Sequence, residues 1–393
     1  MRVLLVQNAV YAPSHGGANK ANRLICELLA GRGHECHAIA TAGGAQATTG
    51  GDPDLLRSAG AEIEAAGPEG LRFRLRGVSV QAVANPGRLR AELAERLVSL
   101  KPDAVLVSSE DAFQSLLRVA IQTCAERVVY LAYTTLVLPF GPGCVFPNPP
   151  SAELLRRAGG IVPVSRFIQD YLRRWGGLES ETLRLPIYGA GPYRDLGRFD
   201  AGALLMVNPC AVKGLPVFLA LADAFPELPF VAVRSWGTNQ SDLEALRARP
   251  NVEVLDPVDD IDAVFERARA VVMPSLWQEA FGFVAVEAML RGLPVLASDV
   301  GGLPEAKLGV EYVLPVRPIE RYASSFDDRM MPRAVVPDQD PASWIAAVRD
   351  LLGSRERYED VSARSRAAAH AFVEGCSIEP IEELLWRLSR YEP

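Results

Sequence analysis

Residues Pro274–Glu305 read PSLWQEAFGFVAVEAMLRGLPVLASDVGGLPE, and this stretch decides the fold. An apolar run before it, Ala270–Met273, predicts a strand. The polar segment Pro274–Phe281 predicts a loop, and Phe283–Arg291 has the composition of a buried helix. Gly292 and Pro294 end that helix, and Leu293–Ser298 predicts the next strand. The order is strand, loop, helix, strand, with the chemistry-bearing residues on the loop and the first helical turns. The first N–H groups of a helix have no intrahelical acceptor and carry the positive end of its dipole, which suits a diphosphate. Gly282 lets an anion approach the backbone. Glu287 lies past the first turn, where a carboxylate accepts hydrogen bonds from paired ribose hydroxyls. Glu279 precedes the helix and is expected to face the sugar end of such a ligand. Either glutamate alone reads as a surface residue; the combination of loop, glycine and second glutamate points to a site.

The same grammar extends in both directions. Arg2–Gln7 predicts a strand, Asn8–Gly17 a loop, Ala18–Ala30 a helix and His34–Thr41 a second strand, a β-α-β unit that implies a parallel sheet. Further strands are expected at Ala104–Ser108, Val128–Ala132 and Gly160–Val164. After a Gly- and Pro-rich linker, Pro186–Gly202, a second unit begins with strand Ala203–Val207 and loop Asn208–Gly214. Val316–Asp338 reads as a long surface loop or insertion. Helices follow at about 341–352 and 354–372, and an amphipathic helix closes the chain. Alternating strands and helices predict an α/β protein of two facing doubly wound, Rossmann-like domains with a deep cleft between them. The expected boundaries are 1–195, 196–375, and a terminal helix over 376–393.

Composition narrows the function classes. The chain has 393 residues, 49% hydrophobic and 23% charged, with net charge −7. An acidic balance argues against a nucleic-acid partner, which needs clustered Lys and Arg. No stretch is apolar for long enough to predict a membrane span. The six cysteines form no CxxC pair, and with four histidines they make no metal-ligand pattern, so reduced thiols in a cytoplasmic protein and no metal are expected. The first loop lacks the third glycine of a dinucleotide fingerprint, which argues against a nicotinamide dehydrogenase.

Glu279 and Glu287, with seven residues between them inside PSLWQEAFGFVAVEAMLRGLPVLAS, closely resemble the signature of glycosyltransferase family four, retaining enzymes with the GT-B fold, in which a C-terminal helix like the one over 376–393 crosses back to the first domain. The resemblance implies a retaining, metal-independent transferase that moves a hexose-type sugar from a nucleotide-diphosphate sugar to a hydroxyl of a metabolite, natural product or glycan. It implies no obligatory cofactor. By resemblance Glu287 binds the ribose, Glu279 contacts the transferred sugar, and the backbone of Phe281, Gly282, Phe283 and Val284 holds the diphosphate or sugar hydroxyls. Pro13–Gly17 resembles the family's glycine-rich loop, with Gly16 and Gly17 approaching phosphate and acceptor. Lys213, followed by Gly214, matches the lysine that stabilises the leaving diphosphate. Asn208 stands where the family carries arginine. Arg234 and Arg166 are the candidate replacements. The family's histidine near the sugar is not apparent; Tyr130–Thr135 (YLAYTT) or Ser108–Asp111 (SSED) occupies its region, with His15 as the other candidate. An epimerase, a hydrolase or a nucleotide-sugar-binding relative with altered chemistry on the same fold is the alternative reading.

Overall fold

The computed structural model describes residues 1–14, 16–43, 52–189, 191–258, 260–327 and 332–390. The chain divides into two compact units, one of Met1–Ile187 with Cys376–Pro393 and the other of Tyr188–Gly375.

Among the described residues the first unit has strands β1 (Arg2–Val6), β2 (Glu35–Thr41), β3 (Glu62–Gly67), β4 (Gly70–Leu75), β5 (Val78–Val83), β6 (Ala104–Ser108), β7 (Val128–Ala132) and β8 (Gly160–Pro163). They form one sheet in the order β3-β4-β5-β2-β1-β6-β7-β8. The strands from β5 to β8 run parallel, while β3 and β4 pair antiparallel. The central strands are apolar throughout because helices cover both faces: Val3, Leu4, Leu5 and Val6, and likewise Val105, Leu106 and Val107, have no exposed surface. The β3–β4–β5 meander was not anticipated. Its alternation is plain in β4, where Leu71, Phe73 and Leu75 are buried and Arg72 and Arg74 are exposed. The terminal helix Glu379–Ser389 belongs to this unit. It buries Ile381, Leu384, Leu385 and Leu388. It is fixed at its first turns by Glu382, which accepts from His34 Nε2 (2.6 Å) and Arg32 Nε (2.7 Å).

The second unit has strands β9 (Ala203–Val207), β10 (Phe230–Val233), β11 (Val252–Leu255), β12 (Ala268–Met273), β13 (Val295–Ser298) and β14 (Val313–Leu314). They lie in the order β11-β10-β9-β12-β13-β14, all parallel. Phe218 meets Phe230 edge-on at 5.4 Å in its core, and Trp344 is fully buried. The segment expected as a surface loop carries a small antiparallel hairpin, β15 (Tyr322–Phe326) with β16 (Pro332–Ala334). Strand order reverses between β9 and β12, so the loops after these two strands emerge side by side. In doubly wound sheets ligands bind at such a switch point, beyond the carboxyl ends of the strands.

Candidate functional site

The loops after β9 and β12 are hydrogen-bonded to each other. The N–H groups of Leu276 and Trp277 both donate to the carbonyl of Val212, at 2.9 and 3.2 Å. Gly214 explains how they come so close. Its φ of +85° is left-handed, and a Cβ there would lie 1.8 Å from the carbonyl oxygen of Pro274. Lys213 is thereby carried over the Pro274–Glu279 loop. Its Nζ donates to Glu279 Oε1 at 2.5 Å, and the same oxygen accepts from Ser275 Oγ at 2.6 Å. The ammonium also sits 4.7 Å from the ring of Trp277, and Trp236 packs on Trp277 at 5.7 Å.

Glu279 is only 7% exposed. Burial pushes its carboxyl up, but the adjacent Lys213 charge and the hydrogen bonds from Lys213 and Ser275 outweigh this and hold it below the usual carboxylate range. The loop is clamped from its other side by the turn after β13. Gly302 N donates to Glu279 O at 2.7 Å, and Ser298 Oγ to Ser275 O at 2.7 Å. A Cβ on Gly301 would fall 2.4 Å from Glu279 O, and one on Gly302 would fall 2.4 Å from Ala280 O. Gly301, Gly302 and Ser275 therefore shape the site without having been assigned a role from sequence. The glycine pair beside the motif was the visible signal.

Gly282 precedes the helix Phe283–Leu290 with φ of +109°, and no side chain caps that helix start. Its missing Cβ also makes room for Leu303, which would otherwise approach to 2.5 Å. Phe281 packs on Phe283 (5.7 Å) and stacks on Phe372 (5.8 Å). These rings hold the helix start in place and leave its backbone N–H groups as the contribution of Phe283 and Val284. Glu287 lies on the same helix, 7% exposed, so it is no solvated helix residue. The following turn is tied back by Arg291, whose Nη1 donates to Glu287 O at 2.9 Å and whose Nε pairs with Asp262.

Asn208 follows β9 directly, with φ of +60° and 4% exposure. Its Oδ1 accepts from Gly237 N at 3.0 Å, and its buried Nδ2 has no partner among the described residues. Asparagine is among the few side chains that tolerate this backbone, so the position serves the turn as well as the site. It supplies no charge there. Arg234, one candidate replacement, is ion-paired with Asp256. Arg166, Gly16 and Gly17 belong to the first unit, where Gly16 (φ +97°) precedes the helix Gly17–Gly31. His15 lies outside the described residues. The structure thus joins Lys213 to Glu279, and stacks Gly282, Phe283 and Glu287 along one helix. Among the described residues no helix is long and apolar enough to cross a membrane.

Residues 205–354, which hold Asn208, Lys213, Glu279, Gly282 and Glu287, match the family described as Glycosyl transferases group 1. The chain carries a glycosyltransferase group 1 domain. Curated relatives of the chain include an uncharacterized 42.6 kDa protein in the cps region of Klebsiella pneumoniae, 38% identical over 95 residues, 24% of this chain and 25% of that protein. A D-inositol 3-phosphate glycosyltransferase of Nocardia farcinica is 34% identical over 116 residues, 30% of this chain and 21% of that protein. The chain thus spans about a quarter or less of the length of these relatives. Among solved structures, Anabaena HepE in complex with UDP and glucose has a TM-score of 0.69 at 16% identity, over 98% of this chain and 100% of that one. Sucrose-phosphate synthase from Thermosynechococcus elongatus has a TM-score of 0.67 at 16% identity, over 98% of both chains. The fold shared with these proteins is the GT-B fold of glycosyltransferases, with its two Rossmann-like sheets.

Proposed function

We propose that this protein transfers a hexose-type sugar from a nucleotide-diphosphate sugar to a hydroxyl acceptor, with retention at the anomeric carbon and without a required metal. The observation that carries the reading is the Lys213–Glu279 pair at the β9/β12 switch point, beside an uncapped helix start. Lys213 neutralises the leaving diphosphate, for which the Phe281–Val284 backbone supplies N–H donors. Release of Lys213 from Glu279 toward phosphate frees the carboxylate to hold the sugar. Glu287 accepts from the ribose hydroxyls. Asn208 contributes a hydrogen-bond donor, its Nδ2, in place of a guanidinium. The first unit is assigned the acceptor, with Gly16 and Gly17 giving it close backbone access. The match to a glycosyltransferase domain and the UDP and glucose held by a protein of the same fold support this reading.

The test is a panel of nucleotide-sugars scored first by thermal stabilisation and then by product. At a hundredfold excess over Kd a true donor stabilises by about 2.7 kcal/mol. Glu287→Gln is expected to abolish that shift for the nucleotide moiety. Lys213→Ala is expected to slow transfer by about 10²–10³-fold, the usual loss for one donor to developing charge. Product analysis by NMR should give the donor's own anomeric configuration. If no nucleotide-sugar raises the melting temperature and Glu287→Gln changes nothing, the donor site does not exist. Sugar release to water alone would favour the hydrolase alternative.

A further inference from the structure

The segment between β14 and the helix Ala342–Gly353 carries the hairpin of β15 and β16, to which the donor site assigns no role. The root of the hairpin is fastened to the second unit. Ile319 N donates to Leu276 O at 2.8 Å, and Val335 N closes the neck on Arg321 O at 3.0 Å. Gln339 ties the stem below: its Oε1 accepts from Arg317 N at 3.0 Å and its Nε2 donates to Arg317 O at 2.9 Å. Beyond the neck the two strands pair only with each other among the described residues. A two-stranded ribbon is marginal in water unless a further strand or helix packs on it.

The outer edges of the two strands differ. β16 has three residues, begins at Pro332, which has no N–H to offer, and carries Arg333 in its middle. Proline and charge are the usual means of blunting an edge strand. β15 reads YASSF, with neither proline nor charge along its five residues. Its register with β16 shifts between Tyr322, opposite Ala334, and Phe326, opposite Pro332. Ala323, Ser324 and Ser325 therefore face Arg333 alone, and their backbone groups cannot all be paired inside the hairpin. All three are exposed, and Phe326 beside them is 43% exposed.

Unpaired N–H and C=O groups along an edge are a template for another strand, and the sequence around this edge is its own complement. Laid antiparallel on a second copy about a two-fold axis at Ser324, Arg321 faces Asp327, Tyr322 faces Phe326 and Ala323 faces Ser325, each pair occurring twice. The outer pair is opposite in charge, the next is aromatic on aromatic, and the centre holds only small side chains. Such cross-strand pairs are the ones that stabilise antiparallel sheets. Moving the axis by one residue sets Glu320 on Phe326, or Ala323 on Asp327, and loses both matches. Arg321 is exposed, and its side chain forms no ion pair among the described residues. Asp327 has a contact within its own chain, and a carboxylate accepts from a second donor without releasing the first.

We propose that the outer edge of β15 is a self-association surface whose partner is β15 of a second copy of this chain, paired antiparallel about Ser324 into a four-stranded sheet. The paired segment is short, so the dimer is weak and forms as concentration rises. This surface is independent of the transferase reading.

The experiment is sedimentation velocity of the full chain from low to high micromolar concentration. Wild type should pass from monomer to dimer. Arg321→Asp and Asp327→Arg each set like charges face to face twice, and each should weaken the dimer by at least roughly tenfold. The double substitution restores opposite charges and should dimerise as wild type does. An equimolar mixture of the two single variants should dimerise as well, because the two acids of one copy then meet the two arginines of the other. Ser324→Cys should form a covalent dimer under mild oxidation, since this residue meets its own counterpart at about 4.5–5.5 Å, whereas the counterparts in Arg321→Cys lie about 20 Å apart and should not cross-link. Both cysteine variants keep the six native cysteines, so the difference between them is the readout. A wild type that stays monomeric at every concentration overturns the proposal. So does a dimer untouched by the single charge reversals, one that neither the double substitution nor the mixture recovers, or equal cross-linking of the two cysteine variants.

Discussion

Gly301 provides the sharpest test of how the site is held. It has φ of +66°, and an added Cβ would lie 2.4 Å from Glu279 O and 2.6 Å from Glu279 N, well inside the 3.0 Å below which such contacts are not found. Gly309 is the matched control. Its φ is +81°, yet an added Cβ there meets nothing within 4 Å. Gly309→Ala therefore carries only the left-handed backbone cost, about 1–2 kcal/mol. Gly301→Ala carries that cost plus the displacement of the Glu279 backbone, a further ~1–3 kcal/mol by analogy with overpacked cores. At roughly 2–4 °C per kcal/mol for a domain of this size, Gly309→Ala should lower the melting temperature by about 2–8 °C, and Gly301→Ala by about another 2–12 °C. Calorimetric scans of both variants measure this directly, and titration with whichever nucleotide-sugar stabilises the wild type measures the functional consequence. Gly301→Ala should weaken the donor because Glu279 and its bond to Lys213 move, whereas Gly309→Ala should leave donor affinity unchanged. Equal melting temperatures for the two variants, with equal donor affinity, would refute the claim that the 301–302 turn positions the site.

Two further perturbations follow from buried polar groups in the same unit. Lys307 is fully buried, its ammonium donates only to the carbonyl of Val295 among the described residues, and burial pushes its pKa down to about 7. Between that value and the ordinary 10.5 the unfolded chain holds a proton that the folded chain has lost, so this residue makes stability rise with pH above 7, with a limiting slope of about 1.4 kcal/mol per pH unit. Lys307→Met should be more stable than wild type at pH 7 and should lose that rise. The difference between the two denaturation midpoints from pH 7 to 8.5 reads it, and a difference that does not shrink with pH would disprove it. Asn208→Ala should cost about 2 kcal/mol, from left-handed strain and from the Gly237 N–H left without its acceptor. Asn208→Gly should cost less, because only the second loss remains, and urea midpoints that rank the two the other way would contradict this account.

Much of the fold was legible because its signals are local. The apolar runs of β1, β6, β9 and β12 and the glycines that end their helices are read residue by residue. The meander of β3, β4 and β5 was missed although the alternation in GLRFRL is clear, because short strands of mixed polarity stand out only once their partners are known. The hairpin of β15 and β16 was hidden for the same reason, in a segment that is mostly exposed.

By itself the sequence determined the alternation of core strands and helices in both units, the Gly282 helix start, and the residue types from which a diphosphate, ribose and sugar site would be built. Spacing along one loop and helix suffices for that, since Glu279, Gly282 and Glu287 lie within three turns of chain. Only the tertiary structure decided that Lys213 meets Glu279, 66 residues away. It also decided that the Gly301–Gly302 turn clamps that loop, that Arg234 is held by Asp256, and that the buried Tyr133 hydroxyl is left without a partner among the described residues. These are pairings across strands, set by the point where strand order reverses, and no local pattern encodes which side chains such a reversal brings within a hydrogen bond of each other.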